Sequence, residues 1–584
     1  MKSLSIRIFL PIAALLFVSG SHPAHAQAPL GPAQMSPRTA FYLIWRGVPG
    51  PEARKANSLL ALWDDPDFAS VRSAIASNLI GSSAEKSPKG KLTAEEIQEY
   101  AALLENSFTL GYLSEPAKRT VSNAAPDAKP PVWNGMFFVY DRTGKEALLS
   151  KAILGMRSTE KEVPLLSQVT IGGVQVLRAE SKSGATYWAE HGKYAVSAGE
   201  RSVMEEILSR LDGKVSGTAT LAQSAAYQEA QANLGGGLLE FFLRIPDLEN
   251  LAADSKTGTF QIRPLLDAAR LDAMHSLSGH ISFEGAKTRV QAAILGDAAT
   301  GTPFDIWSPG QPSPASLSFV PADAVSYTSA QLNFQGIYDT VKRVARAAFP
   351  QAQQGNTDLF DTVAQSRLGM PVPDALALLT GEFASMQTSP SLDSTKQVYF
   401  FGIRKKPEVL KLIRSAFSDR LTSERNEGEV TFLKISLGGK QTGTGVAQWN
   451  FFNLAVTQDM ILGANRIETL REVLSSRTHA STTAGLATVP QFQARRAQFA
   501  ENLNGLSYFD FQKVDWQALK DRWIEEAKKS PVAKNVDSST KTVPSTAPDW
   551  LTQINSQVFA RHLHYSSSVS WKDSKGIHWD QWVE

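Results

Sequence analysis

The chain is predicted to be α+β: two tandem homologous domains, each a mainly antiparallel sheet with helices packed on one face. Three observations predict it. Short alternating or apolar runs are joined at glycine turns, as where Gly172-Gly173 separates Val169-Thr-Ile171 from Val174–Arg178, the pattern of hairpins. Amphipathic helical stretches stand in groups before and between those hairpins, not in strict alternation with strands, which disfavours a parallel βαβ sheet. One order of residue types is also written twice. Met136-Phe-Phe-Val-Tyr-Asp-Arg142 with Glu146 and Leu148 is answered by Val398-Tyr-Phe-Phe-Gly-Ile-Arg404 with Glu408 and Leu410.

Lys2 and Arg7, an apolar run from Ile8 to Val18 and the small-x-small signal Ala24-His25-Ala26 lay out a secretory signal peptide over residues 1–26, with cleavage expected before Gln27. The apolar run is shorter than the ~20 residues of a membrane span, and no later stretch is long and apolar enough to form one. A periplasmic or secreted protein is expected. Residues 27–38 are read as a flexible leader, 39–300 as the first α+β repeat, 301–316 (rich in Gly, Pro and Ser) as a linker, and 317–584 as the second repeat.

Within the first repeat, Thr39–Trp45 is a strand, and Ala53–Trp63 and Phe68–Leu79 carry helical spacing around the turn cluster Asp64-Asp-Pro-Asp67. Thr93-Ala-Glu-Glu96 has the form of a capping box. Strands follow at Met136–Arg142, Val169–Ile171, Val174–Arg178, Thr186–Glu190 and Tyr194–Ser197, then a helix at Ser202–Leu211 packing through Val203, Met204, Ile207 and Leu208. Gly237–Arg244 is a strand, and His280–Phe283 and Arg289–Leu295 close the repeat as a hairpin. In the second repeat Val430-Thr431 answers Val169-Thr170, and Trp449 answers Trp188, the two tryptophans expected to fill one core slot in each domain. Phe492 answers Tyr227, Leu506 answers Leu238, and Val569-Ser-Trp571 answers Ile281-Ser-Phe283. The period, roughly 260 residues or more, far exceeds the ~20–50 of a solenoid.

Pro321-Ala-Asp-Ala324 at a strand start, Leu378-Leu-Thr-Gly-Glu-Phe383, and Tyr399-Phe-Phe-Gly-Ile-Arg404 before a Pro-Glu-Val-Leu helix together resemble an uncharacterised bacterial envelope family, a domain of unknown function found on secreted proteins and lipoproteins. The resemblance covers most of 320–520 and, more faintly, 37–250. It implies a location and a fold type, and no reaction.

Composition narrows the chemistry. The formal charge is +2, and loss of Lys2 and Arg7 with the signal peptide leaves a near-neutral chain, a poor match for nucleic acid or anionic lipid. There is no cysteine, so disulfides, thiol nucleophiles and thiolate metal sites are excluded. No G-x-S-x-G elbow occurs. Ser83-Ala-Glu-Lys86 and Ser538-Ser-Thr-Lys541 match S-x-x-K but sit in polar stretches that do not desolvate the lysine. Gly438–Gly445 is glycine-rich but leads into a strand, so it is no phosphate cradle. Asp64, Asp65 and Asp67 are read as helix caps. His562 and His564, placed on a strand with His578 opposite, are the one candidate metal set, without H-E-x-x-H or a counterpart in the first repeat. No catalytic, cofactor-binding or metal residue is therefore assigned, and no cofactor is expected.

The reading that follows is a non-enzymatic exported protein, a binding or scaffold element of the bacterial cell envelope whose partner is an envelope protein or an apolar small molecule. Two alternatives stand beside it: a carrier of an apolar ligand or lipid, with Phe137, Phe138, Tyr399 and Phe400 lining a cavity, and a hydrolase with its site in an inter-domain cleft.

Overall fold

The structure is a computed structural model, and it describes residues 28–72, 74, 102–114, 135–157, 165–181, 184–214, 219–234, 237–247, 256–257, 260–261, 263–308, 314–348, 359–393, 396–437, 451–479, 485–497, 503–529 and 549–584. It mixes helix with antiparallel sheet, the α+β class expected. The chain divides into two compact units, Met1–Lys256 with Met274–Leu295, and Thr257–Ala273 with Gly296–Glu584. Residues Thr257–Ala273, inside the span read as the first repeat, thus cluster with the second unit. The signal-peptide stretch and the capping box at Thr93 lie outside the described residues.

In the first unit the strands are β1 (Thr39–Trp45), β2 (Phe108–Leu113), β3 (Met136–Asp141), β4 (Leu165–Ile171), β5 (Val174–Ser181), β6 (Gly184–His191), β7 (Tyr194–Ala198), β8 (Leu239–Arg244), β9 (Met274–Glu284) and β10 (Lys287–Gly296). Their order across the sheet is β4-β5-β6-β7-β3-β2-β1-β8-β9-β10, and the registered pairs are antiparallel. Side chains alternate across a strand, so Tyr42 and Ile44 of β1 and Phe137 and Val139 of β3 enter one core. There they meet Val203, Met204, Ile207 and Leu208 of helix α2 (Arg201–Leu211). The alternate residues Phe138 and Tyr140 enter a smaller cluster on the other face, with Leu149 of helix α1 (Glu146–Arg157) packed against it.

In the second unit the strands are β11 (Ser326–Gln331), β12 (Leu379–Gln387), β13 (Gln397–Ile403), β14 (Leu421–Glu427), β15 (Val430–Ser436), β16 (Phe451–Val456), β17 (Met460–Ala464), β18 (Leu503–Asp510), β19 (Tyr565–Asp573) and β20 (Gly576–Val583). The order is β14-β15-β16-β17-β13-β12-β11-β18-β19-β20, again antiparallel throughout. It is the order of the first sheet with every label raised by ten. Helix α3 (Lys406–Ala416) places Val409, Leu410 and Ile413 on one face. Helix α4 (Ile467–His479) places Leu470 and Val473 on the other.

Several expectations are corrected. Helices cover both faces of each sheet, not one, because central strands such as Met136–Asp141 are apolar on both faces and both need cover. Residues 28–38 are not a flexible leader: Leu30 and Met35 are fully buried in the first core, and the Met35 carbonyl accepts the Leu221 amide at 3.0 Å. Two apolar anchors outweigh a linker-like composition. The 301–316 stretch is likewise not wholly a linker, since Pro303–Ile306 forms a 3-10 turn that buries Phe304. Counted from the closing pairs of their hairpins, Ile171 with Val174 and Glu427 with Val430, Val430 stands where Val174 does, not where Val169 does.

Candidate functional site

The residues singled out by sequence do not converge. Ser83, Lys86, Ser538, Lys541 and the Gly438–Gly445 loop lie outside the described residues. Asp65 caps the turn Pro66–Phe68 through the Asp67 amide at 2.9 Å, and Asp64 is paired with Arg54, so that cluster is structural. His562 ends a helix (Gln557–His562) and is not on a strand. His578 stacks on Trp571 at 5.1 Å between ring centroids, with its Nε2 3.0 Å from Asp573. Among the described residues no group of three or more metal-ligating side chains converges. Phe137 and Phe400 are buried in separate cores, Phe138 lies against Phe108 and Tyr140, and Tyr399 lies against Phe383. These four side chains pack into the sheets' apolar clusters.

The site that sequence reasoning missed is a cleft of about 470 Å³ in the first unit, between α1 and the sheet face beneath it. Leu149 and Ser150 of α1 form one wall. Gln168, Gln175, Leu177, Trp188, Glu190 and Ala195 form the floor, drawn from β4, β5, β6 and β7. Registers order that floor. Gln168, Leu177, Trp188 and Ser197 stand in one row across four strands, and Glu190 pairs with Ala195 in the next. Tyr187 and Ala189 turn to the core, which forces Trp188 and Glu190 to the opposite face. Glu190 is held by Arg142, Nη1 to Oε2 2.9 Å, with 65% of the glutamate side chain exposed. Arg142 also donates to the Gly192 carbonyl at 3.0 Å, which fixes the pair at the mouth.

The same place in the second unit is filled. Its rows are Glu424, Leu433, Leu454, Gly463 and Asn426, Thr431, Val456, Ile461. Leu433 is 1% exposed, Leu454 7% and Val456 0%, and they pack with Val409, Leu410 and Ile413 of α3. At these register positions the second sheet has Leu454, Val456 and Ile461 in an apolar seam, and the first has Trp188, Glu190 and Ala195 around an open, partly polar hollow. Trp449, expected to share a slot with Trp188, lies outside the described residues; the counterpart of Trp188 is Leu454. The chain matches no family model, no curated protein and no solved structure.

A volume near 470 Å³ falls within the roughly 300–1,000 Å³ range of small-ligand sites. The lining offers an aromatic face, an apolar wall, two amides, a hydroxyl and a carboxylate. That set can hold and orient a small molecule. A second hollow, beside Ser329, Gln331 and Glu382, encloses only about 10 Å³, too little for more than a single water.

One polar cluster of the first core is built differently from the Tyr327–Ser316 hydroxyl pair of the second. The Tyr42 hydroxyl donates to Glu240 Oε1 at 2.6 Å, and Arg46 donates to Glu240 Oε2 at 3.3 Å and, through Nε, to the Gly237 carbonyl at 3.0 Å. Burial first, then the Glu240 charge, pushes the Tyr42 phenol far above its ordinary range. Glu240 stands across from Ile44 as Leu506 stands across from Ser329. With Tyr42 0% and Glu240 4% exposed, substrate does not reach this network, and its role is to satisfy a buried charge.

Proposed function

We propose that the protein is a non-enzymatic, exported binding element of the cell envelope, made of two copies of one module, whose first copy holds the ligand site. The observation that carries this reading is the contrast at one sheet position: Trp188, Glu190 and Ala195 around a cleft, against Leu454, Val456 and Ile461 in a packed seam. Export is supported by the signal pattern ending Ala24-His25-Ala26. Duplication is supported by the shared strand order and by the recurring strand–helix stretches at Met136 and Val398. The resemblance to envelope proteins of unknown function supports the same location.

The test fills the cleft with the second unit's own residues, Trp188→Leu, Glu190→Val and Ala195→Ile together. Wild type and filled variant are compared by quantitative affinity purification from envelope extract, with melting curves to show that both are folded. The reading expects at least one partner or small molecule retained by wild type and lost by the variant. An identical bound set for both proteins, or substrate turnover abolished by Glu190→Gln, would overturn it.

A further inference from the structure

The two sheets treat their free edges differently. Among the described residues β4 pairs only with β5, and β14 only with β15, so each leaves one row of backbone donors and acceptors open. An open edge is a template for another strand, and proteins normally blunt it with charges, bulges or prolines. Strand β14, Leu-Thr-Ser-Glu-Arg-Asn-Glu, is blunted twice. Its register breaks between Leu421 and Ser423, and Glu424, Arg425 and Glu427 put charge along it. Arg414 of α3 binds Glu424 at 2.6 Å, and Arg471 of α4 binds Glu427 at 2.5 Å.

Strand β4, Leu-Leu-Ser-Gln-Val-Thr-Ile, has no register break and no charge of its own, although near its hairpin end Arg201 of α2 donates to the Thr170 carbonyl at 3.3 Å. Its seven pairs with β5 run without a break from Leu165–Glu180 to Ile171–Val174. It carries no charge and no proline. Leu165 is 77% and Leu166 50% exposed, against the usual habit of keeping such side chains from an open edge. Gln168 belongs both to this edge and to the cleft floor, so the cleft is continuous with the edge.

We propose that β4 receives an added strand: an extended, uncharged stretch of another polypeptide pairs with Leu165–Ile171 and sets a side chain at the margin of the cleft. Only a peptide backbone meets a seven-residue row of amides and carbonyls at strand spacing. The neutral edge selects an uncharged segment, and the side chain that segment places in the row of Gln168 lies beside Gln168 at the margin of the cleft. This rests on the cleft being the ligand site. It adds what the ligand is and how it is held. The interface is small, so the complex is of the transient class.

The probe is a set of peptides selected from a random display library on the full-length mature protein. Each is measured against wild type, against Leu165→Lys/Ser167→Lys, which charges only exposed edge positions, and against the cleft-filled variant. The expected result is binding that slows amide exchange across 165–171, falls at least tenfold in the edge-charged variant, and weakens in the filled one. Equal affinity for wild type and edge-charged protein, or protection confined elsewhere, overturns the proposal. So does a wild-type dimer that the same lysines dissociate and no selected peptide displaces, because a second copy is then the occupant. Peptides that need the edge but ignore the filling leave strand addition standing and remove the cleft reading.

Discussion

Trp188 and Leu454 hold the same place in two sheets of one strand order, and only the leucine is buried. Trp188 stands opposite Leu177 and Leu454 opposite Leu433. The neighbours decide the outcome. Leu454 is roofed by Val409, Leu410 and Ile413, whereas Trp188 faces a hollow walled by Leu149 and Ser150.

The roofs should therefore respond unequally to truncation. Ile413→Ala removes a side chain 7% exposed in a packed seam, and a loss of about 2–5 kcal/mol is expected in denaturant unfolding. Leu149→Ala, a partly buried side chain packed on its cluster on one side and facing the cleft on the other, is expected to lose less than Ile413→Ala. Equal losses would mean that the space under α1 is filled as tightly as that under α3.

Tyr42→Phe should cost more than Tyr327→Phe. The first strips a buried carboxylate of its 2.6 Å donor, a penalty of about 1–3 kcal/mol. The second removes a hydroxyl pair, Tyr327 with Ser316 at 2.8 Å, worth about 1 kcal/mol. Chemical denaturation of the two variants checks the order, and a reversed order would show that Arg46 alone satisfies Glu240.

Acid should loosen the first unit through Glu206. Burial by itself raises that carboxyl's pKa. Hydrogen bonds from Ser36, Arg38 and Arg210 and the Arg38 charge outweigh it and hold the group below the ordinary value of 4.5. A depressed folded pKa stabilises fully above the unfolded value, and that contribution is lost as pH falls through the folded one. Glu206→Gln should thus be less stable than wild type near neutrality, with the gap closing below about pH 4. Because Ser36 and Arg38 flank the buried segment at Leu30 and Met35, hydrogen exchange over 28–38 should rise with acid in wild type. A gap that stays constant with pH would exclude this role.

Much of this architecture is legible in the residues, for identifiable reasons. Strands and hairpins show because apolar alternation and turn glycines such as Gly172 and Gly173 report local geometry. Correspondence between the halves is harder. Identity paired Val169 with Val430 and Trp188 with Trp449, while the hairpin closing pairs put Val430 at Val174 and Leu454 at Trp188. Loops of unequal length slide one strand's residues onto another's neighbour. His562 looked like a strand residue because two histidines two apart fit alternation, yet a helix reaches to it. The cleft has a local signal in the residues: Tyr187 and Trp188 are adjacent, so on a strand only one of them enters the core. Whether the outward one is covered depends on a helix that packs from elsewhere in the chain, which local pattern does not encode.

The lack of native cysteine makes the decisive measurement clean, because one introduced thiol is the only one present. Trp188→Cys and Leu454→Cys are reacted separately with an aromatic disulfide reagent under native conditions, and the rates compared with those in denaturant. The account predicts that the thiol at 188 reacts at nearly its unfolded rate while the thiol at 454 is protected until the second unit opens. Equal protection at both positions, or faster reaction at 454, would contradict it.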